Sequence, residues 1–379
     1  MRVGVVGAGP AGALLAWHLS RDGADVTLYD ASHPREKPCG GGVTAGALGR
    51  LPPAPDDDPL PGRRVRECRF DSGEGHSVDV HLAPPMLVAS RSKLDAWLLR
   101  RATAAGARHM PERVLAVGND GWLRSARGVT RFDIIVGADG ATSLVRRTFL
   151  GPTPSGRLMI GTGWLSRGTA PALVQFVPGL AGYLWFFPRQ DHVAVGICAP
   201  LAATPTRQLR GRLERVADSL FPALGDDGAK RYAAIIPSPG TDESSLRDIA
   251  GRRWALVGDA AALADPVTGE GIHHALRSAE ILAETLRVAG SPEAYPGRVL
   301  DDFGRDLLKA AAVRDRFFAP GFPRRMVRLA AGSPAIRRVL TDLVLGEQSY
   351  LGLKRRLLLA SPQALLEMGM ARLRGPHPR

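Results

Sequence analysis

Residues 2–30, RVGVVGAGPAGALLAWHLSRDGADVTLYD, leave few folds open. Val3, Val5 and Val6 form a short apolar run, and Leu14, Leu15, Trp17 and Leu19 follow at helical spacing. The segment therefore reads strand, turn, helix, strand. Gly7, Gly9 and Gly12 fill the turn as G-x-G-x-x-G. The first glycine permits the tight turn, the second lets backbone approach a pyrophosphate, and the third lets helix and strand pack closely. The helix N-terminus then offers free N–H groups and partial positive charge to phosphates. Asp30 ends the second strand, where an acid can accept a ribose hydroxyl. These residues predict a Rossmann-type dinucleotide unit, and by itself the unit does not separate NAD from FAD.

Further along, SRSKLDAWLLRRATAAGA (90–107) reads as a helix with Ser90 or Ser92 as N-cap. FDIIVGADG (132–140) is a buried strand ending in a turn, and PPAPDDDPLP (52–61) is a surface loop with a solvated acidic run. From about 156 to 200, RLMIGTGWLS, ALVQFVPG, GYLWFFPR and HVAVGICAP are short β-type runs parted by turn residues, the pattern of an antiparallel sheet. Residues 252–286 return to strand, loop and helix, and the chain from about 296 reads as helices. The expected fold class is α/β (α+β). A Rossmann-type domain takes 1–60, 84–155 and 250–295. An inserted antiparallel-sheet domain takes 61–83 and 156–249, and a C-terminal helical region takes 296–379.

Composition narrows the partners. The net charge is +13, but arginine supplies 45 of the 50 basic residues, the skew of a GC-rich genome. No aromatic-interleaved basic strand or finger spacing accompanies it, so nucleic acid is not an expected partner. Cys39, Cys68 and Cys198 are an odd set without regular spacing, which argues for a reducing compartment. Cys68 and Cys198 sit in strand-like runs and read as inert small hydrophobes. The first strand begins at Val3 and no apolar run nears the roughly 20 residues of a membrane span, so a cytoplasmic protein is expected. Residues 311–379 carry 13 Lys/Arg against 4 Asp/Glu beside apolar runs. That pattern fits either a helical cap on the core or a weak peripheral contact with an anionic membrane. His273 and His274 are adjacent on a helix and do not make a metal pair, so no metal site is expected.

Two later segments bear on the cofactor. ADGATSLVRR contains Asp139, Gly140, Ser143 and Arg146. VGDAAALADPVTGEGI contains Gly258, Asp259, Asp265, Pro266, Gly269 and Gly271. Here the chain resembles the para-hydroxybenzoate hydroxylase-like FAD superfamily, which has an Asp-Gly-x-x-Ser-x-x-Arg motif and a second Gly-Asp motif. KPCGGGV (37–43) and GYLWFFP (182–188) narrow the resemblance to the geranylgeranyl reductase family, with its Pro-Cys-Gly-Gly-type and Tyr-x-Trp-x-Phe-Pro motifs. The resemblance implies non-covalent FAD held by Gly7, Gly9, Gly12, Asp30 and Asp139. It places Arg91 near the cofactor phosphates, Asp259 at the ribityl chain, and Gly40 and Gly41 against the isoalloxazine ring. Gly269 and Gly271 would open a helix whose N–H groups face the flavin's N1/O2 edge. NADPH or a reduced redox protein would serve as transient electron donor, since no second Rossmann motif is present.

The chemistry implied is reduction of carbon–carbon double bonds in a hydrophobic prenyl substrate. Such alkenes are not conjugated to a carbonyl, so hydride delivery needs a matched proton donor and a cavity that keeps water out. Tyr183, Trp185 and Phe187 alternate on a strand and share one face. Facing the flavin they line a substrate cavity; facing away they are sheet core. Cys39, Tyr183 and Trp185 are the candidate catalytic residues. Cys39 reads as a proton donor, as a group shaping the ring's surroundings, or as a packed thiol. Glu270 reads either as a ligand-facing acid or as a stabiliser of its own helix N-terminus. The same scaffold hosts monooxygenases or epoxidases and halogenases, which are the alternatives, and a non-catalytic flavoprotein is the reading from another class.

Overall fold

The structure, a computed structural model, describes residues 1–225 and 229–360. Its first layer is a six-stranded sheet ordered 250–251, 254–256, 134–137, 2–6, 25–29, 108–110. Strand Arg2–Val6 lies inside it and pairs in parallel with Asp25–Tyr29 and Ile134–Gly137. Both faces are covered, which is why its strands are apolar runs rather than alternating ones. Helix Pro10–Arg21 packs on this sheet with Arg91–Ala104 and Ile272–Ala289 beside it. The sheet's carboxyl ends bring Gly7, Asp30, Asp139 and Asp259 to one edge, the place where open α/β sheets bind ligands.

The second layer is an eight-stranded sheet ordered 230–237, 158–166, 193–200, 183–188, 172–176, 63–71, 77–88, 42–43. Its pairs are antiparallel except 172–176 with 63–71. Strand Ser77–Val88 runs through the expected boundary at 83/84, because Arg63, Arg64 and Val65 pair with Val88, Leu87 and Met86. Gly42–Val43, at the expected flavin loop, is the edge strand of this sheet and so stitches the two layers together. A small third sheet over 114–131 was not foreseen from sequence.

The strand Tyr183–Pro188 sorts its side chains by parity. Leu184 and Phe186 are fully buried against helix Thr206–Leu220 on one face. Tyr183, Trp185 and Phe187 take the other face. The C-terminal helices Phe322–Gly332 and Pro334–Val344 close that second face, burying Val327, Ala330, Ile336 and Leu340 with Phe70, Val174 and Phe176 of the sheet. The acidic run at 56–58 is more than solvated loop: Asp58 pairs with Arg100 and Arg101 and its carbonyl accepts from Trp97 Nε1 at 2.9 Å. Cys68 and Cys198 are buried and burial pushes both thiols up to about 12, the behaviour of inert core groups.

Candidate functional site

Each glycine of the first turn has its own steric reason. Gly7 has φ +102°, and a Cβ there would lie 2.4 Å from the Ala138 carbonyl oxygen. A Cβ on Gly12 would lie 1.9 Å from the Gly7 carbonyl oxygen, so helix and strand could not close. A Cβ on Gly9 would meet open space, and no side chain caps the helix Pro10–Arg21 that follows. The turn therefore presents bare backbone and uncapped N–H groups to a cavity, which fits a pyrophosphate. Asp30 accepts from the Ala8 N–H at 2.9 Å and from Ser32. Burial works against its ionisation, yet these hydrogen bonds hold its carboxyl below the usual range.

The cavity measures about 820 Å³, toward the upper end of ligand cavities at about 300–1,000 Å³. It runs from the glycine turn and Asp30, between the 37–44 and 267–272 loops, to Tyr183, Trp185 and Phe187 and on to Phe317, Phe318, Leu340 and Leu343. The polar end and the apolar end are thus parts of one space, which suits a nucleotide cofactor meeting a hydrophobic substrate.

The later motif residues sort into two groups. Asp139 spends its carboxylate on the chain itself: it accepts from Ser143 Oγ and, at 2.6 Å, from the Leu144 N–H, capping helix Leu144–Phe149. Arg146 reaches the Ala260 carbonyl at 3.3 Å and so ties this motif to the Gly258–Ala261 turn. Asp259 stands at the cavity, paired with Lys37 Nζ at 3.0 Å, and its other oxygen lies beside Gly271. Lys37 Nζ also faces Gly140. Arg91 is buried and bidentate to Asp95 at 2.8 Å on both arms, and its guanidinium also meets Cys39. It sits in the cavity wall with two of its five N–H donors committed to Asp95.

The protein itself crowds glycines 40–42. A Cβ on Gly40 would lie 2.8 Å from the Phe187 ring, and one on Gly42 3.0 Å from Met86 Sδ. Gly41 has φ +86° and would clash with the Ala89 carbonyl at 2.3 Å. The loop is pressed between the aromatic strand and the 86–89 segment, with Cys39 Sγ half-buried and accepting from the Gly41 N–H at 3.3 Å. Across the gap, Gly269 lies against the Tyr183 hydroxyl, which donates to the Thr268 carbonyl. The Trp185 indole lies against Gly196 of the paired strand and reaches Gly161 of the strand beyond, and Trp185 and Gly161 line the cavity. Tyr183 and Trp185 rings stand 6.0 Å apart. Burial, with Cys198 beside it, pushes the Tyr183 phenol well above its ordinary range.

Sequence reasoning missed the network that holds Cys39. Arg189 is fully buried; one arm donates to Glu36 at 2.5 Å and the other to the Cys39 carbonyl at 2.7 Å. Glu36 also accepts from Ser90, Ser92 and, at 3.0 Å, from the Arg91 N–H, so it caps helix Arg91–Ala104 from outside the helix. The only signal was position: Arg189 directly follows the Tyr-x-Trp-x-Phe-Pro strand. Lys37 was equally silent. Glu270, left open between two readings, lines the cavity and accepts from Thr44 Oγ1 at 3.2 Å. His273 and His274 are held neutral by burial, and among the described residues no cluster has a metal-ligand set.

Comparison with known proteins agrees with this geometry. A family model described as an NAD(P)-binding Rossmann-like domain matches residues 5–41. A menaquinone reductase of Mycobacterium tuberculosis is 30% identical, covering 90% of each chain. A chloroplastic geranylgeranyl diphosphate reductase of Oryza sativa is 29% identical over 85% of this chain and 73% of its own. The crystal structure of a geranylgeranyl bacteriochlorophyll reductase-like protein from Thermoplasma acidophilum superposes with a TM-score of 0.77, at 20% identity, over 97% of this chain and 98% of that one. The chain belongs to the geranylgeranyl reductase family of FAD-dependent oxidoreductases.

Proposed function

We propose that this enzyme reduces carbon–carbon double bonds of a prenyl chain carried by an isoprenoid quinone or diphosphate. One observation carries the reading: a single cavity joins the nucleotide turn to an aromatic and aliphatic arm, with the Cys39 loop between them. FAD fits the polar end through Gly7, Gly9, Gly12 and Asp30, with Asp259 toward the ribityl hydroxyls and Gly40, Gly41, Gly269 and Gly271 along the ring. Bound and reduced, it supplies the hydride equivalent. Tyr183, Trp185 and Phe187 hold the alkene and exclude water; Phe70, Phe176 and Phe318 line the arm beyond them. Cys39, fixed by Arg189 and facing Arg91, sets the chemical surroundings of the reacting carbons. The electron donor is NADPH or a reduced redox protein, acting transiently.

Among the described residues no helix is long and apolar enough to cross a membrane. The reading extends to a peripheral contact through helix Phe322–Gly332, which exposes Arg324, Arg325 and Arg328 beside Phe322. The Phe322 ring packs at a tilt against the cavity residue Phe317, with centroids 5.4 Å apart. The remainder of the basic tail, 361–379, lies outside the described residues.

The test is anaerobic. Enzyme with reduced FAD is mixed with prenyl diphosphates and prenyl quinones, and product masses are read. A gain of two hydrogens per turnover supports the reading. Hydroxylated or epoxidised product formed only after oxygen is admitted replaces it with the monooxygenase.

A further inference from the structure

Saturating an alkene takes a proton as well as a hydride equivalent, and an acid in the cavity wall can supply that proton. We propose that Glu270 is the acid that delivers it, an inference that rests on the reductase reading above. Glu270 stands where the 265–271 loop enters helix Ile272–Ala289, with its side chain in the cavity wall. Its Oε1 accepts from Thr44 Oγ1 at 3.2 Å. Thr44 sits at the N-cap of the short helix Ala45–Leu48 yet does not cap it; its hydroxyl turns to Glu270 instead. Its Oε2 faces the Gly346 turn, where a Cβ would lie 3.4 Å away.

The charges around it all favour the neutral acid. Asp265, from the same loop, is a second buried carboxyl, held by the Val267 N–H at 2.7 Å, the Thr268 N–H at 2.9 Å and the Tyr350 hydroxyl at 3.2 Å. Tyr350 and, behind it, Asp306 bring no positive charge. His273 offers only its backbone N–H, and His274 is held neutral by burial. The nearest lysine of the 37–44 loop, Lys37, is committed to Asp259. Among the described residues no Lys or Arg forms an ion pair with Glu270 or Asp265. Two carboxyls in an apolar wall without a cation cannot both ionise. Burial, with Asp265 next, pushes Glu270 up to about 8, so at neutral pH the proton is present and can be given up.

The step balances. The Glu270 carboxyl O–H bond breaks as a C–H bond forms at one alkene carbon. The other carbon takes the hydride equivalent from reduced flavin, which is oxidised by two electrons. The Glu270 carboxylate that remains is recharged from water when product leaves.

Two measurements test the assignment. Infrared spectra of wild type between pH 5 and 10 should hold a buried neutral-carboxyl band that titrates away near pH 8. Glu270→Gln should lack that band, and Thr44→Val, which removes the side-chain donor to the carboxylate, should move its titration to higher pH. In anaerobic single turnover, Glu270→Gln should retain FAD and substrate binding and slow alkene reduction by about 10²–10⁴-fold, with part of the rate recovered in Glu270→Asp. A Glu270→Gln enzyme that keeps the wild-type rate and pH profile overturns the assignment of Glu270 alone, as does a band titrating near pH 8 that survives the substitution. Wild type that leaves every prenyl alkene untouched overturns the reductase reading, and the role of Glu270 falls with it.

Discussion

Replacing Glu36 by Gln tests whether the buried Glu36–Arg189 pair holds the Cys39 loop. Burial opposes ionisation of Glu36, but the Ser90 hydroxyl, the Arg189 guanidinium and the Arg91 N–H outweigh it and draw the carboxyl from 4.5 down to about 2. At about 1.4 kcal/mol per pH unit, that depression is worth about 3 kcal/mol. Glu36→Gln also leaves the fully buried Arg189 without its carboxylate, and breaking a buried pair costs about 3–5 kcal/mol. The expected loss is therefore about 3 kcal/mol at pH 7. Its pH dependence follows from the sign: a depressed acid contributes fully above 4.5 and loses its contribution as pH falls toward 2. Urea unfolding of wild type and variant should show the gap at pH 7 and a narrowing gap as pH falls through that window. A gap below about 1 kcal/mol, the range of an exposed pair, or one that ignores pH, would refute the reasoning.

The other expectations are narrower. Asp259→Ala should weaken FAD binding by about 1.5–3 kcal/mol, the worth of hydrogen bonds to a charged acceptor, and should strand Lys37; equilibrium dialysis of FAD reads it, and unchanged affinity removes Asp259 from the ribityl site. Cys39→Ser keeps volume and FAD but should slow reoxidation of reduced enzyme by a prenyl alkene, and equal rates return Cys39 to packing. Glu270 is raised from 4.5 to about 8, so its burial costs stability progressively as pH climbs through that range; Glu270→Gln should therefore gain thermal stability over wild type at pH 8 more than at pH 5. Co-sedimentation with anionic vesicles at low salt should weaken when Arg324, Arg325 and Arg328 are replaced by Glu, and a wild type that never sediments removes the peripheral contact.

What could be read from sequence follows the range over which each residue acts. The turn at Gly7–Gly12, the helix after it and Asp30 act within one supersecondary unit, so spacing alone described them. The alternation of Tyr183, Trp185 and Phe187 is also local, and it told which residues share a face. It did not tell which face, because that depends on helix Thr206–Leu220 covering Leu184 and Phe186 from elsewhere in the chain. Strand Ser77–Val88 outran its expected boundary for the same reason: Leu87 and Val88 belong to the sheet through Arg64 and Arg63 on one side and Val43 and Gly42 on the other. Asp139 looked like a ligand residue by motif. Its carboxylate also accepts from the Leu144 N–H at the start of the next helix, five residues on, while Asp139 lines the cavity.

The glycines of KPCGGGV carry this contrast furthest. Bare backbone beside a flat ring was a sufficient reason for them, yet a Cβ would also clash with the Ala89 carbonyl at Gly41 and the Phe187 ring at Gly40, while Met86 crowds Gly42. The two reasons act together. A loop pressed that tightly on the aromatic strand cannot drift, and Arg189 anchors its carbonyl from a strand 150 residues away. The Cys39 backbone is therefore fixed by contacts within the chain itself. Its thiol is held at the junction of the polar and apolar arms by steric exclusion on one side and a buried ion pair on the other. Neither constraint is a contact to substrate. Both lie in the spacing between Glu36, Cys39 and Arg189, and a chain read residue by residue does not show that those three meet.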